Sequence, residues 1–161
     1  MSRLEKPLGY KTHWVTGDLL LRAELDLLLK DNTGSWQKET FRVDSGSDIT
    51  SMPAWRAKLL NLPMPQAGVS LAITTPAGPV QMIIRAGILQ ARIDGMDATV
   101  YPIPCHFTGD PDAVPDPNAP PATIPRNLLG LAGVVDKLRL IFDGTPQSAA
   151  APYGLLVVEK I

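Results

Sequence analysis

Asp44 ends an apolar, strand-like run and is followed at once by Ser45, Gly46 and Ser47, with Asp48 and Thr50 close behind in "VDSGSDIT". A carboxylate can take or give a proton, hydroxyls can orient it, and a glycine permits backbone conformations that a Cβ would hinder. The same residues are also ordinary turn chemistry, since Asp and Ser side chains bond nearby backbone and glycine suits tight turns. A turn and an active site are both open at this point. A second pairing, Cys105 beside His106, suggests a thiol nucleophile with its base. Neighbours on a strand point to opposite faces, so that pair reads as a buried cysteine and an incidental histidine. His13 and the three tryptophans read as structural or interface residues. No Cys/His set has zinc spacing, and no metal is expected.

The elements around Asp44 are strands. In "LLLRAELDLLLK" the odd positions 19 to 29 are all Leu or Ala while Arg22, Glu24, Asp26 and Lys30 take even positions, a period of two that predicts one continuous strand with a buried face. "DNTGS" then supplies a hairpin turn around Gly34, and "WQKETFRV" returns antiparallel to end at Asp44. Beyond the motif, "SMPAWRAKLLNLP" predicts a short helix with Ser51 as N-cap, stopped by Pro63. Two β-rich runs flank "TPAGP", and the apolar phase slips at Gly87/Ile88, which predicts a bulge or bend. A turn at Asp94-Gly95 leads to another strand, and "LRLIFD" and "YGLLVVEKI" supply two more. Residues 108–126 carry six prolines and three aspartates and read as a long loop.

The totals bound the function. At 161 residues the chain reads as one domain, 1–161, large enough to bury a core. Fifteen Lys+Arg against sixteen Asp+Glu give a net charge of −1, without the basic excess that nucleic acid would require as a partner. A single cysteine makes no intramolecular disulfide, no secretory leader is evident, and no apolar run is long enough for a membrane span. The expectation is a cytoplasmic protein with no membrane partner. Sixteen prolines and thirteen glycines in a chain that is 45% hydrophobic favour many short strands over a helical bundle.

Asp44-Ser45-Gly46-Ser47 with Thr50 matches the pattern D-[ST]-G-[AST]-x-x-[ST] of aspartic proteases, and "NLLGLAGVVDKLRLIFD" supplies a second anchor near the C-terminus. Together with the intervening "ITTPAGPV" hairpin, these segments resemble the retropepsin-like family, single-domain aspartic proteases that act as homodimers, over roughly Leu19 to Asp143. The resemblance implies a mainly all-β fold, a retropepsin-like closed β-barrel with a flap hairpin and one short C-terminal helix. It implies a polypeptide substrate and no cofactor. With only one such motif in the chain, the second Asp44 would come from a second copy, so that a homodimer is required for catalysis.

The resemblance also assigns roles. Asp44, Ser45 and Gly46 would be catalytic, Ser45 bonding across the two-fold axis to hold two loops in register. Ser47, donating to the Asp44 carboxylate, and Asp48, contacting substrate backbone, would serve binding. Thr74, Thr75, Pro76, Ala77 and Gly78 would form the flap tip, and Leu128 would line the pocket beside the cleaved bond. One position departs from the pattern: many viral members carry an arginine that supports the aspartate at the Asp48 position, and here it is Leu131, leaving Arg126 as a substitute. The alternative is a noncatalytic dimeric peptide-binding module on the same fold.

Overall fold

A computed structural model describes residues 2–12, 15–75, 77–120 and 126–161. Pro76, His13 and Trp14 lie outside the described residues, as does the 121–125 part of the Pro-rich loop.

The centre of the molecule is a hairpin. Strands β4 (Glu24–Lys30) and β5 (Trp36–Val43) pair antiparallel around the Asp31–Ser35 turn, where Gly34 takes φ 85°. Leu25, Leu27 and Leu29 of β4 and Phe41 of β5 are buried, as the alternation required, and each full burial of this kind contributes about 1.5–3 kcal/mol. The predicted strand from Leu19 does not run unbroken: it divides at Ala23 into β3 (Leu19–Arg22) and β4. Among the described residues β3 pairs only with β2 (Gly9–Thr12), and this ribbon leaves Leu19, Leu20 and Leu21 all exposed, so the predicted buried face holds in β4 and fails in β3.

Asp31 holds that central turn. Its buried carboxylate accepts from Thr33 Oγ1 at 2.6 Å, Gln37 Nε2 at 2.8 Å and the Thr33 and Ser35 amides at 2.9 and 3.0 Å. The Thr33 hydroxyl and Gln37 amide bonds lead in holding its pKa down to about 2. A depressed carboxylate stabilises the fold above its unfolded pKa of about 3.9, and that contribution is lost as pH falls through about 2. Asp31→Asn is therefore expected to lower Tm at pH 6, with the difference from wild type closing as both are acidified toward pH 2. A Tm difference that stays constant over that range would contradict this role.

Seven strands share one sheet, in the order β4-β5-β10-β6-β9-β8-β7, and β4 also pairs with β8 through Leu27↔Ile93 to Leu29↔Ala91. Here β6 is Thr50–Pro53, β7 Val69–Thr75, β8 Gly78–Ile93, β9 Tyr101–Thr108 and β10 Leu128–Leu129. The β8/β9 register runs without a slip from Ile84↔Thr108 to Ala91↔Tyr101, so of the bulge or bend expected at Gly87 no bulge is present, although the buried phase passes from Ile84 to Leu89, Ala91 and Ile93. Gly87 instead makes room: a Cβ there would lie 2.9 Å from the Phe107 ring and 3.1 Å from Pro65.

Helix α1 (Ala54–Leu59) is present, but its N-cap is Pro53, with no side-chain cap bond. Ser51 is drawn into β6, where it lies opposite His106 of β9 and Leu128 of β10. The expected C-terminal helix is also absent. Residues 131–137 form successive turns, with Val135 N bonding Leu131 O at 3.1 Å and Leu138 N bonding Val134 O at 2.8 Å. Gly133 at φ 72° interrupts the right-handed run between them. A separate three-stranded sheet, β1-β12-β11, joins the termini: β1 (Arg3–Pro7) and β11 (Leu138–Asp143) flank β12 (Leu155–Lys160), whose Leu156 and Val158 are fully buried.

Candidate active site

β10 is only two residues long, yet it positions the motif. It pairs parallel with the end of β5, Leu128↔Arg42 and Leu129↔Val43, and antiparallel with β6 through Leu128↔Ser51. The chain leaves β5 at Val43, crosses the end of β10 through residues 44–49 and returns on its far side as β6. Asn127 secures the approach: its Nδ2 donates to Glu39 at 2.8 Å and to Thr40 O at 3.2 Å, while its carbonyl accepts from Arg42 N at 3.0 Å. Glu39, almost wholly buried, is also paired with Arg56 of α1 at 2.5 Å.

Four hydrogen bonds fasten the crossing loop and Thr50, where β6 begins, to the Leu129–Ala132 stretch. Asp44 N donates to Leu129 O at 3.0 Å, Gly130 N to Thr50 Oγ1 at 3.0 Å, Leu131 N to Ser47 O at 3.0 Å and Ala132 N to Asp48 O at 2.8 Å. Thr50 is fully buried, so its hydroxyl is the acceptor that keeps the Gly130 amide from being orphaned. Thr50→Val preserves shape and removes that acceptor. It is expected to cost about 1–3 kcal/mol in denaturant unfolding, and an unchanged midpoint would contradict the role of this bond.

Within the loop, Asp44 is half-buried and Ser45 and Gly46 are exposed. The Asp44 Oδ1 accepts from Gly46 N at 3.0 Å, which orients the carboxylate. Gly46 has no positive φ; its constraint is proximity, since a Cβ would lie 3.3 Å from Asp44 Oδ1. Ser47 differs from expectation, because its hydroxyl donates to Ile49 O at 2.9 Å and not to Asp44. Asp48 is exposed, and among the described residues no cation pairs with it. Arg126 does not substitute for the missing arginine. It lies near Arg22, whose pKa is lowered by burial and then by the charges of Arg126 and Arg42, and it lines a cavity with Glu24, Arg42 and Trp55.

The structure therefore brings Asp44 to Asp48 together on one loop beside Gly130. Leu128 is half-buried on the adjoining β10. Thr74, Thr75, Ala77 and Gly78 belong to another element, the β7/β8 hairpin, in which Thr75 lies opposite Gly78 and Gly78 takes φ 112°. Among the described residues β7 is the outermost strand of its sheet and pairs only with β8. The Cys105 thiol is buried and pushed up to about 12 by desolvation, which leaves it un-ionised and inert as a nucleophile. Among the described residues no three His, Cys, Asp or Glu side chains group to hold a metal ion.

A crystal structure of a retropepsin-like aspartic protease from Rickettsia conorii matches the chain with a TM-score of 0.55 at 14% identity, covering 98% of each chain. The fold is retropepsin-like. No protein-family model and no curated protein matches the sequence. On this retropepsin-like fold two contributors escaped a reading of the sequence as motifs: the close approach of Gly130 to the loop, and a groove running from Ser45 to the C-terminal sheet. A groove of about 370 Å³ joins Val43, Ser45 and Leu131 to Leu138, Leu140, Phe142 and Ile161. Its signal was the apolar alternation of "LRLIFD", which reads as a strand but does not say which of its sides lies open.

Proposed function

We propose that two copies of the chain form an aspartic endopeptidase, with the two Asp44 carboxylates facing one another across a two-fold axis. The reading is carried by the Asp44-Ser45-Gly46 turn at the end of β5, fastened at Leu129 to Ala132, within a retropepsin-like fold. Amide hydrolysis without a metal or a covalent intermediate needs a base for water and an acid for the carbonyl oxygen. Two carboxylates about 3 Å apart cannot both ionise easily and share one proton, as in aspartic proteases generally. The ionised Asp44 takes a proton from water as its oxygen attacks the peptide carbonyl carbon. The protonated Asp44 gives its proton to the carbonyl oxygen, and collapse of the tetrahedral intermediate delivers a proton to the leaving amine nitrogen.

In this reading the pairings from β4 through β8 and back to β4 make a closed barrel, and the β7/β8 hairpin is a flap that excludes water and grips an extended peptide by backbone hydrogen bonds. Exposed Val69, Leu71 and Val80 on that hairpin suit a substrate with apolar side chains near the cut. The unsupported Asp48 favours one other reading, a dimeric peptide-binding module that does no chemistry. No helix among the described residues is long and apolar enough to cross a membrane. We assign the chain to a reducing compartment such as the cytoplasm.

The test is a diverse peptide mixture incubated with wild type and Asp44→Asn from about pH 4 to 7.5, with products identified by mass spectrometry. Cuts between apolar side chains, made only by the wild type, are expected. A wild type that cuts nothing at any pH while binding the peptides would favour the module.

A further inference from the structure

The charge that the candidate site selects in a substrate follows from a cluster of arginines beside it, and the inference rests on the peptidase reading. Arg42 stands two residues before Asp44, about 6.5 Å along an extended strand. Its register partner on β10 is Leu128, and register partners project from one face of a sheet, so Arg42 shares the face of the residue expected beside the cleaved bond. A cavity of about 440 Å³ opens around it, lined among others by Glu24, Thr40, Trp55, Arg126 and Asn127. Among the described residues neither Arg42 nor Arg126 forms an ion pair. Arg22 is their neighbour: burial, and then the charges of Arg126 and Arg42, hold its pKa below the ordinary value. Of the carboxylates lining the cavity, Glu39 is taken up by Arg56 and Asn127, which leaves Glu24 to offset three guanidiniums. The whole chain carries a net charge of −1, so this crowding of like charge is local and not part of a generally basic surface. Trp55 adds a donor, since its indole Nε1 is buried and has no acceptor among the described residues.

Guanidiniums in excess of carboxylates, held close enough to repel one another, are relieved by an anion. We propose that this cavity takes an ionised Asp or Glu side chain of the polypeptide substrate, held by Arg42 and Arg126 at a position about two residues from the cleaved bond. A guanidinium presents a planar fork of N–H donors that meets a carboxylate through two parallel bonds, and a side-chain carboxylate is the anion that an extended polypeptide brings to such a place. The two-fold relation of the paired chains sets one such cavity on each side of the cut, so the acidic residue serves on either side. Apolar side chains at the cut and an acidic one farther out then form a single pattern. The first meet Val69, Leu71 and Val80 of the hairpin, and the second meets the arginines.

The experiment uses three peptides that share one apolar core and carry Glu, Gln or Lys about two residues from its centre. Each is offered at about pH 6, where the peptide Glu is ionised, to wild type, to the double variant Arg42→Gln with Arg126→Gln, and to the double variant Arg42→Glu with Arg126→Glu. Wild type is expected to cut the Glu peptide at least about tenfold faster in kcat/KM than the Gln peptide. The Gln substitutions should abolish that preference, and the Glu substitutions should turn it toward Lys. Each preference is a ratio taken within one preparation, so a partly unfolded variant does not distort it. The same ratios are read a second way, from the fluorescence anisotropy of labelled peptides bound to each protein carrying Asp44→Asn as well. Equal rate and affinity for Glu and Gln in wild type, a Glu preference that survives in both double variants, or peptides neither cut nor bound would overturn the assignment. Glu-selective binding with no cleavage by wild type would contradict the peptidase reading and leave the arginine cavity standing.

Discussion

Gly130→Ala is expected to abolish peptide cleavage and to lower stability at least about 2 kcal/mol, roughly 4–8 °C in Tm for a chain of this size. The added Cβ would lie 2.4 Å from the Ile49 carbonyl carbon and 2.7 Å from both the Ile49 oxygen and the Thr50 nitrogen. All three are backbone atoms, so no side chain can rotate out of the way. Relief requires the 44–50 loop to lift off β10. That movement stretches the bonds from Gly130 N to Thr50 and from Leu131 N to Ser47, and carries Asp44 out of position with them. Gly144→Ala is the matched control, because a Cβ there meets nothing within 4 Å and the backbone is not left-handed. Equal effects of the two substitutions would contradict the view that loop position, and not glycine content, sets activity.

Asp44→Asn is expected to reduce cleavage by about 10²–10⁴-fold or more while leaving Tm within a few degrees of wild type. The amide keeps an oxygen that can accept from Gly46 N, so the turn survives. What disappears is the ability to take a proton from water, and with one Asn in each copy no shared proton remains. Retained peptide binding, measured by the fluorescence anisotropy of a labelled uncleaved peptide, would separate lost chemistry from lost fold. A variant that cleaves at the wild-type rate would remove Asp44 from the mechanism.

Much of the positioning machinery was legible in the sequence because it is local. Alternation in β4, glycine at Gly34 and the Asp-Ser-Gly turn each depend on residues within a few positions, and the hairpin and loop appear where they were expected. What failed was set by distant partners. Leu128-Leu129 is a strand only because Arg42, Val43 and Ser51 flank it. Ser51 looks like a helix cap until His106 pairs with it across β6 and β9. β1 alternates only weakly and includes Pro7, and it is a strand because β12 lies beside it. At 131–137 the resemblance implied a short helix, but Gly133 sits in the left-handed region and successive turns take its place. At the candidate site the carboxylate was legible and its surroundings were not: nothing in "SGSDI" says that the Ser47 hydroxyl turns to Ile49 or that Gly130 packs against the loop.

The central claim is that one active site is assembled from two Asp44 carboxylates on different chains, and mixing tests it most directly. Wild type and Asp44→Asn would be combined at fixed total concentration, equilibrated long enough to exchange partners, and assayed on a single cleavable peptide. If both carboxylates are needed, only wild-type pairs cleave, and activity follows the square of the wild-type fraction, about one quarter of full activity in an equal mixture. Activity that falls in simple proportion, to about one half, would mean that each chain cleaves on its own and would contradict the shared dyad.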